Sequence, residues 1–194
     1  NKPDGVRQSE REAAAYNARQ WVIDNKDKYN IKAVSMAQAS SNWVAGADYC
    51  PKTPITQSKI QTLVASNIPV FLPAGNDFNY TKLRWPACLP ESIAIGASMP
   101  SKAVAVYTNY DAKLIDFFAL GTTITYGPGN VKAPVAGTSA SIQAAAATWL
   151  AISSAKPGLT YSQMYDLISR TSTSISNSKI KGGKLINLQG ALNG

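Results

Sequence analysis

Two short stretches of this chain carry residues that could do chemistry. The first is Gly137-Thr138-Ser139, which stands directly before Ala140-Ser141-Ile142-Gln143 and four consecutive alanines, Ala144 to Ala147. A serine at the mouth of a helix sits among backbone N–H groups that have no intrahelical partner, in the positive field of the helix dipole. That setting favours developing negative charge, and so a nucleophile whose attack creates an oxyanion. It equally suits a plain N-cap, a role serine fills very commonly. The second is Asn76, at the end of the run Val70-Phe71-Leu72-Pro73-Ala74-Gly75. Its side-chain amide is a donor suited to an oxyanion, and Gly75-Asn76-Asp77 is also an ordinary turn after a strand. The chain contains no histidine, so the commonest general base for a serine hydroxyl is not among these residues.

The surrounding pattern predicts how the two are held. Short apolar runs alternate with helical periodicity, the mark of an α/β fold with a mostly parallel sheet. Helices are expected over 9–25, opened by a Ser9/Glu12 capping box, over 56–67, over 139–155 and over 161–171, the last opened by Thr160 and Gln163. Strands are expected over 32–37, 68–76, 91–98, 103–108 and 114–120, with a loop over 41–54. The helix after Ser139 is apolar on every side and is expected to be buried all round, its alanines letting neighbouring backbones approach closely.

Composition narrows the class. The chain has 194 residues, 45% of them hydrophobic and 15% charged, which is globular and enough for one domain. No apolar run is long enough to span a bilayer, and the start lacks the basic-then-apolar layout of a signal peptide. The net charge is +8, but lysines and arginines are scattered apart from a loose group at Lys179, Lys181 and Lys184, with no interleaved aromatics. A basic surface is expected, without nucleic-acid binding. Cys50 and Cys88 form no C-x-x-C pair, and without histidine a zinc site is not expected. A disulfide and two free thiols both remain open on composition.

The order of motifs resembles the subtilisin-like serine peptidases, the subtilases, over nearly the whole chain. Residues 136–141, AGTSAS, resemble the family's nucleophile motif, and 70–77, VFLPAGND, resemble the strand and turn bearing its oxyanion asparagine. Residues 85–97, 107–124 and 184–192 resemble the family's Pro-Ala strand, its Asn-Tyr to Ala-Pro-Gly segment and its closing Ile-Asn segment. Five such motifs in order are far more specific than any one. The resemblance implies a three-layer fold with a mostly parallel central sheet flanked by helices. It implies a serine endopeptidase acting on polypeptides, with Ser139 as nucleophile, Asn76 as oxyanion donor, and Ala37, Gln38, Ala39, Ala74 and Gly75 lining the substrate. Cys50 and Cys88 fall where a bacterial secreted branch carries two cysteines, the second in Pro-Ala-Cys, which implies a disulfide and a location outside the cytoplasm. Calcium sites occur in the family, but no ligand cluster is assignable here.

The family's Asp and His precede the region that 1–194 resembles, so 1–194 is expected to be a partial domain lacking the N-terminal strands. The strand at 33–37 would then be a bare edge, covered by the upstream segment or by another chain. Three departures bear on activity. Ala37-Gln38-Ala39 stands for Ser-Leu-Gly, Gln143 for a proline after the nucleophile, and Ala119-Leu120-Gly121 for Ala-Pro-Gly. They leave open a catalytically inactive module of the same fold. The related sedolisins, which use Glu and Asp in place of His, have an oxyanion aspartate where Asn76 stands. An α/β-hydrolase needs glycine at position 141, where this chain has serine.

Overall fold

The computed structural model describes residues 4–39, 43–44, 50 and 54–194. The elements run α1 (Asp4–Asn25), β1 (Val34–Ser35), β2 (Trp43–Val44), α2 (Pro54–Ala65), β3 (Val70–Pro73), β4 (Leu83–Arg84) and β5 (Ile93–Ser98). They continue with β6 (Phe117–Leu120), β7 (Thr122–Tyr126), β8 (Lys132–Ala136), α3 (Thr138–Ala155), α4 (Tyr161–Thr171), β9 (Thr173–Ile175), β10 (Gly183–Leu185) and α5 (Leu188–Asn193). Six strands form the main sheet in the order β1-β3-β5-β6-β10-β9, parallel except for β9.

The strand sequences explain the layering. Every residue of β3 and β5 is buried, as a parallel strand covered on both faces requires. Side chains alternate between faces. Phe71, Ile93, Ile95, Phe117 and Ala119 pack with Ile142, Ala145, Trp149 and Ile152 of α3 and with Met164, Leu167 and Ile168 of α4. Val70, Leu72 and Ala94 point the other way, onto Ile60 and Leu63 of α2 and Val22 and Ile23 of α1. The result is the expected three-layer α/β fold. A third cluster, around Phe118, Val104, Ile175 and Ile180, closes the far side.

Several expected boundaries shift for physical reasons. α1 begins at Asp4, so Ser9 lies inside the helix rather than capping it. The strand expected over 32–37 shortens to Val34–Ser35, because it pairs with β3 alone and has no second neighbour among the described residues. Residues 103–108 form no strand: Val104 makes one bridge to Ser98, and the chain turns back through Thr108 N–H to Ala105 C=O. The β7–β8 hairpin and strands β9 and β10 were not expected, since their residues are largely exposed or too few to show a period. Most of the loop over 41–54 lies outside the described residues; Trp43–Val44 within it pairs with β4. α3 is not buried all round. Ile142, Ala145, Trp149 and Ile152 face the sheet, while Gln143, Ala147, Leu150 and Ala151 are exposed. The Thr160/Gln163 capping box is present as expected. Cys50 and Cys88 form a disulfide, closing a span of 38 residues against the α2 side of the core.

Asp116, just before β6, accepts hydrogen bonds from Ala94 N–H at 2.7 Å and from the Tyr165 hydroxyl at 2.6 Å. Burial nevertheless raises its carboxyl above the ordinary aspartate range, outweighing those two donors. A carboxyl raised in the folded state favours folding below its unfolded pKa, and that contribution is lost as pH rises through the folded value. Asp116→Asn can keep both contacts, accepting from Ala94 N–H and donating to the Tyr165 oxygen, and does not titrate. Denaturant unfolding of both proteins from about pH 3 to pH 7 should show the variant gaining on wild type as pH rises. A constant difference would contradict burial as the dominant cause.

Candidate functional site

The parallel strands end on one side of the sheet, and the N-terminus of α3 meets them there. In such sheets that is where ligands bind. The turn after β3 carries Asn76 into this region. Gly75 within it has φ +110°, a conformation that favours glycine, and a Cβ there would lie 2.2 Å from Asn109 Nδ2. Asn109 is fully buried and organises the turn. Its Oδ1 accepts from Asp77 N–H and Asn79 N–H, while its Nδ2 donates to Ala74 C=O and to Asp77 Oδ2. Arg84 pairs with both Asp77 oxygens, at 2.8 and 3.0 Å, and its hydrogen bond is the main reason the Asp77 carboxyl lies below the ordinary range.

The turn is strapped to α3. Asn76 Oδ1 accepts from Thr138 N–H at 2.8 Å and from the Thr138 hydroxyl at 3.0 Å; Thr138 Oγ1 in turn accepts from Gly75 N–H. With Oδ1 so engaged, the amide nitrogen is turned the other way, beside Gly137. A Cβ on Gly137 would lie 3.3 Å from Asn76 Nδ2, and its φ of +147° also calls for glycine. Gly137 is the N-cap of α3, so Ser139 is its second residue and not a cap. Among the first-turn donors, Thr138 N–H goes to Asn76, and Ala140 and Ser141 N–H go to Gly137 C=O. Ser139 N–H has no acceptor among the described residues, and its part-exposed hydroxyl lies one residue from the Asn76 contact.

Tyr107 braces the same turn from behind. Its hydroxyl donates to Gly121 C=O at 2.8 Å and accepts from Gly137 N–H at 3.1 Å. Gly121 has no room for a side chain: a Cβ would stand 2.5 Å from Ala97 Cβ and 2.6 Å from Ser141 Oγ. The expected lining residues follow the ends of adjacent strands. Ala37, Gln38 and Ala39 come after β1, with Ala37 and Ala39 exposed; Ala74 and Gly75 come after β3 and are buried beneath the turn. Gln143 is exposed on α3. A separate cavity of about 450 Å³, lined by Lys26, Asn67, Trp149 and Ser153, contains none of these residues. Among the described residues, no group of three or more His, Cys, Asp or Glu side chains could hold a metal ion.

A sequence profile of the subtilase family matches residues 3–191. The chain belongs to the subtilase family. It is 32% identical over 179 residues to Subtilisin NAT of Bacillus subtilis subsp. natto, covering 90% of this chain but 43% of that protein. It therefore spans less than half the length of the curated relatives it matches. Among solved structures, a lanthipeptide protease superposes with a TM-score of 0.74 at 16% identity, over 92% of this chain and 65% of the other. A cold-adapted subtilisin-like serine proteinase superposes with a TM-score of 0.71 at 19% identity, over 89% and 60%. These two share the subtilase fold with this chain.

Sequence reasoning named Asn76 and Ser139 but missed the residues that hold them: Thr138, Tyr107, Asn109 and Arg84. Tyr107, Asn109 and Thr138 lay inside the family-like motifs and Arg84 just outside them, but nothing in residue type tells a positioning side chain from a surface one. For Tyr107 the structure supplies a test. Tyr107→Phe removes an acceptor from Gly137 N–H and a donor from Gly121 C=O, which still have each other at 2.8 Å. The expected cost is about 1 kcal/mol, read from the urea midpoint at unchanged slope. A loss above about 3 kcal/mol would mean that these backbone groups do not compensate each other.

Proposed function

We propose that this chain supplies the nucleophile and the oxyanion donors of a serine endopeptidase that cleaves polypeptides through an acyl-enzyme. Ser139 Oγ attacks the scissile carbonyl, and Ser139 N–H and Asn76 Nδ2 receive the resulting oxyanion. One observation carries the reading: Thr138 holds Asn76 by its oxygen, which leaves the Asn76 amide nitrogen near Gly137, while Ser139 N–H in the same helix turn has no acceptor among the described residues. Donors already aimed where charge develops need no reorganisation during reaction, which is the main source of catalysis in acyl transfer. Substrate runs past Ala37, Gln38 and Ala39 on one side and the Ala74-Gly75 turn on the other.

The hydroxyl also needs a base. We assign the Asp and His of the family's triad to a segment upstream of Asn1, which takes its place along the outer edge of β1 and over the exposed face of α3. The 194 residues by themselves are then inert and form part of a domain. The Cys50–Cys88 disulfide, with Cys88 in Pro86-Ala87-Cys88, supports an oxidising compartment outside the cytoplasm. No helix of the described residues is long and apolar enough to cross a membrane. Calcium, raised by family resemblance, is assigned no residues. The second reading, an inactive module kept for binding or assembly, is favoured by the departures at Ala37-Gln38-Ala39 and Gln143.

A fluorophosphonate probe separates the two. In the full-length protein it should label Ser139, with Ser139→Ala abolishing labelling and Asn76→Ala slowing acylation about 10²–10³-fold. An intact, folded full-length protein that takes up no label would establish the inactive module.

A further inference from the structure

Arg19, on α1, is a buried charged residue, at 3% exposure. A guanidinium carries five N–H donors and is almost never buried without an anion. Here its Nη1 donates to the thioether of Met36 at 3.3 Å, a weak acceptor, and its Nη2 to the Thr56 hydroxyl at 3.3 Å. Its Nε–H is buried with no partner. No described carboxylate pairs with it. Burial pulls its pKa below the ordinary arginine value, with nothing opposing.

Arg19 lies beside an open sheet edge. Met36 follows β1 directly, and β1 has a neighbour on one side only among the described residues. Val34 and Met36 N–H donate inward, to Pro69 and Phe71 C=O, so the Ser35 N–H between them points to the open side. A second orphan sits on the same strand: Ser35 Oγ is buried without a partner. The Val34 and Met36 side chains share the face that packs under α1 and α2. A strand added to the open edge would stand about 4.8 Å from β1, with side chains on that face about 5 Å from those of Val34 and Met36. Arg19 Nη1 already touches Met36, so an acidic side chain there comes within reach of the guanidinium.

We infer that Arg19 receives a carboxylate, from Asp or Glu, carried by the polypeptide segment that pairs with the outer edge of β1. This rests on the reading that such a segment lies upstream of Asn1, and adds a chemical requirement to it: the edge is closed by a strand with an acid facing α1. The covering strand is then chosen by charge as well as by backbone pairing.

The sign of one stability change tests this. A buried charge with no partner makes a fold more stable when replaced by an apolar side chain of similar length, whereas breaking a buried ion pair leaves an unpaired acid and destabilises it. In the full-length protein, Arg19→Met should therefore lower Tm by more than about 4 °C. Neutralising one Asp or Glu of the pairing strand should then restore most of that loss, a coupling read by a double-mutant cycle. If Arg19→Met does not fold, recovery of folding by the second neutralisation carries the same information. An unchanged or raised Tm overturns the inference, as does coupling of Arg19 to Asp4 or Asp48, whose side chains lie outside the described residues. Hydrogen exchange at Ser35 N–H distinguishes the two levels of failure. Fast exchange in the full-length protein means that no segment covers the edge and the upstream reading itself fails. Slow exchange without acid coupling means that the edge is covered and only the role of Arg19 is wrong.

Discussion

The contact between Asn76 Oδ1 and the Thr138 backbone N–H is the interaction on which the site depends. It joins the turn after β3 to the first turn of α3, two elements separated by 62 residues of chain. It does two things at once. It satisfies an orphan donor of the helix N-terminus, and it fixes which end of the Asn76 amide faces outward. The geometry tolerates little around it. Gly75 and Gly137 both adopt backbone conformations that favour glycine, and each has a neighbour where a Cβ would go. Behind the turn, Asn109 uses both ends of its amide on Asp77, Asn79 and Ala74. The position of the Asn76 amide is thus fixed by backbone constraints and by the hydrogen bonds of the buried Asn109 and of Thr138.

The sheet accounts for where the site lies and for what is left open. Parallel strands place all their C-terminal ends together, and a helix returning over the sheet brings its N-terminus to the same side. β3 and β5, inside the sheet, are buried on both faces. β1, at its edge, is reduced to two paired residues. The unpartnered Ser35 hydroxyl lies on that strand, and Arg19, whose Nε–H is unpartnered, contacts Met36 directly after it. Among the described residues, β5 and β6 have a strand on each side, and β1 has one on a single side. An edge strand leaves a row of backbone N–H and C=O groups without sheet partners.

Much of this was legible without coordinates. Buried parallel strands announce themselves as short apolar runs, and the motifs around Gly137-Thr138-Ser139 and Ala74-Gly75-Asn76 kept their order and spacing. The capping box of α4 could be read from Thr160 and Gln163 because a cap is a local arrangement of four residues. The same logic misplaced the start of α1, where Ser9 and Glu12 fit the pattern but the helix had already begun. The expectation that α3 is buried on every side failed for a different reason. Apolar composition measures what a helix can bury, and the neighbours present decide what it does bury.

Local sequence determined the main helices, the buried strands and the identity of the two candidate chemical residues, because these follow from hydrophobic periodicity and short motifs over a few residues. Only the tertiary structure decided that Thr138 holds the Asn76 oxygen, that Tyr107 braces Gly137 across 30 residues, and that Arg19 is buried without an acid. Those depend on groups, backbone as well as side chain, that lie far apart in the chain. Hydrogen bonds and buried charges are set by which groups the fold brings within about 3 Å of one another. No short-range pattern encodes that distance.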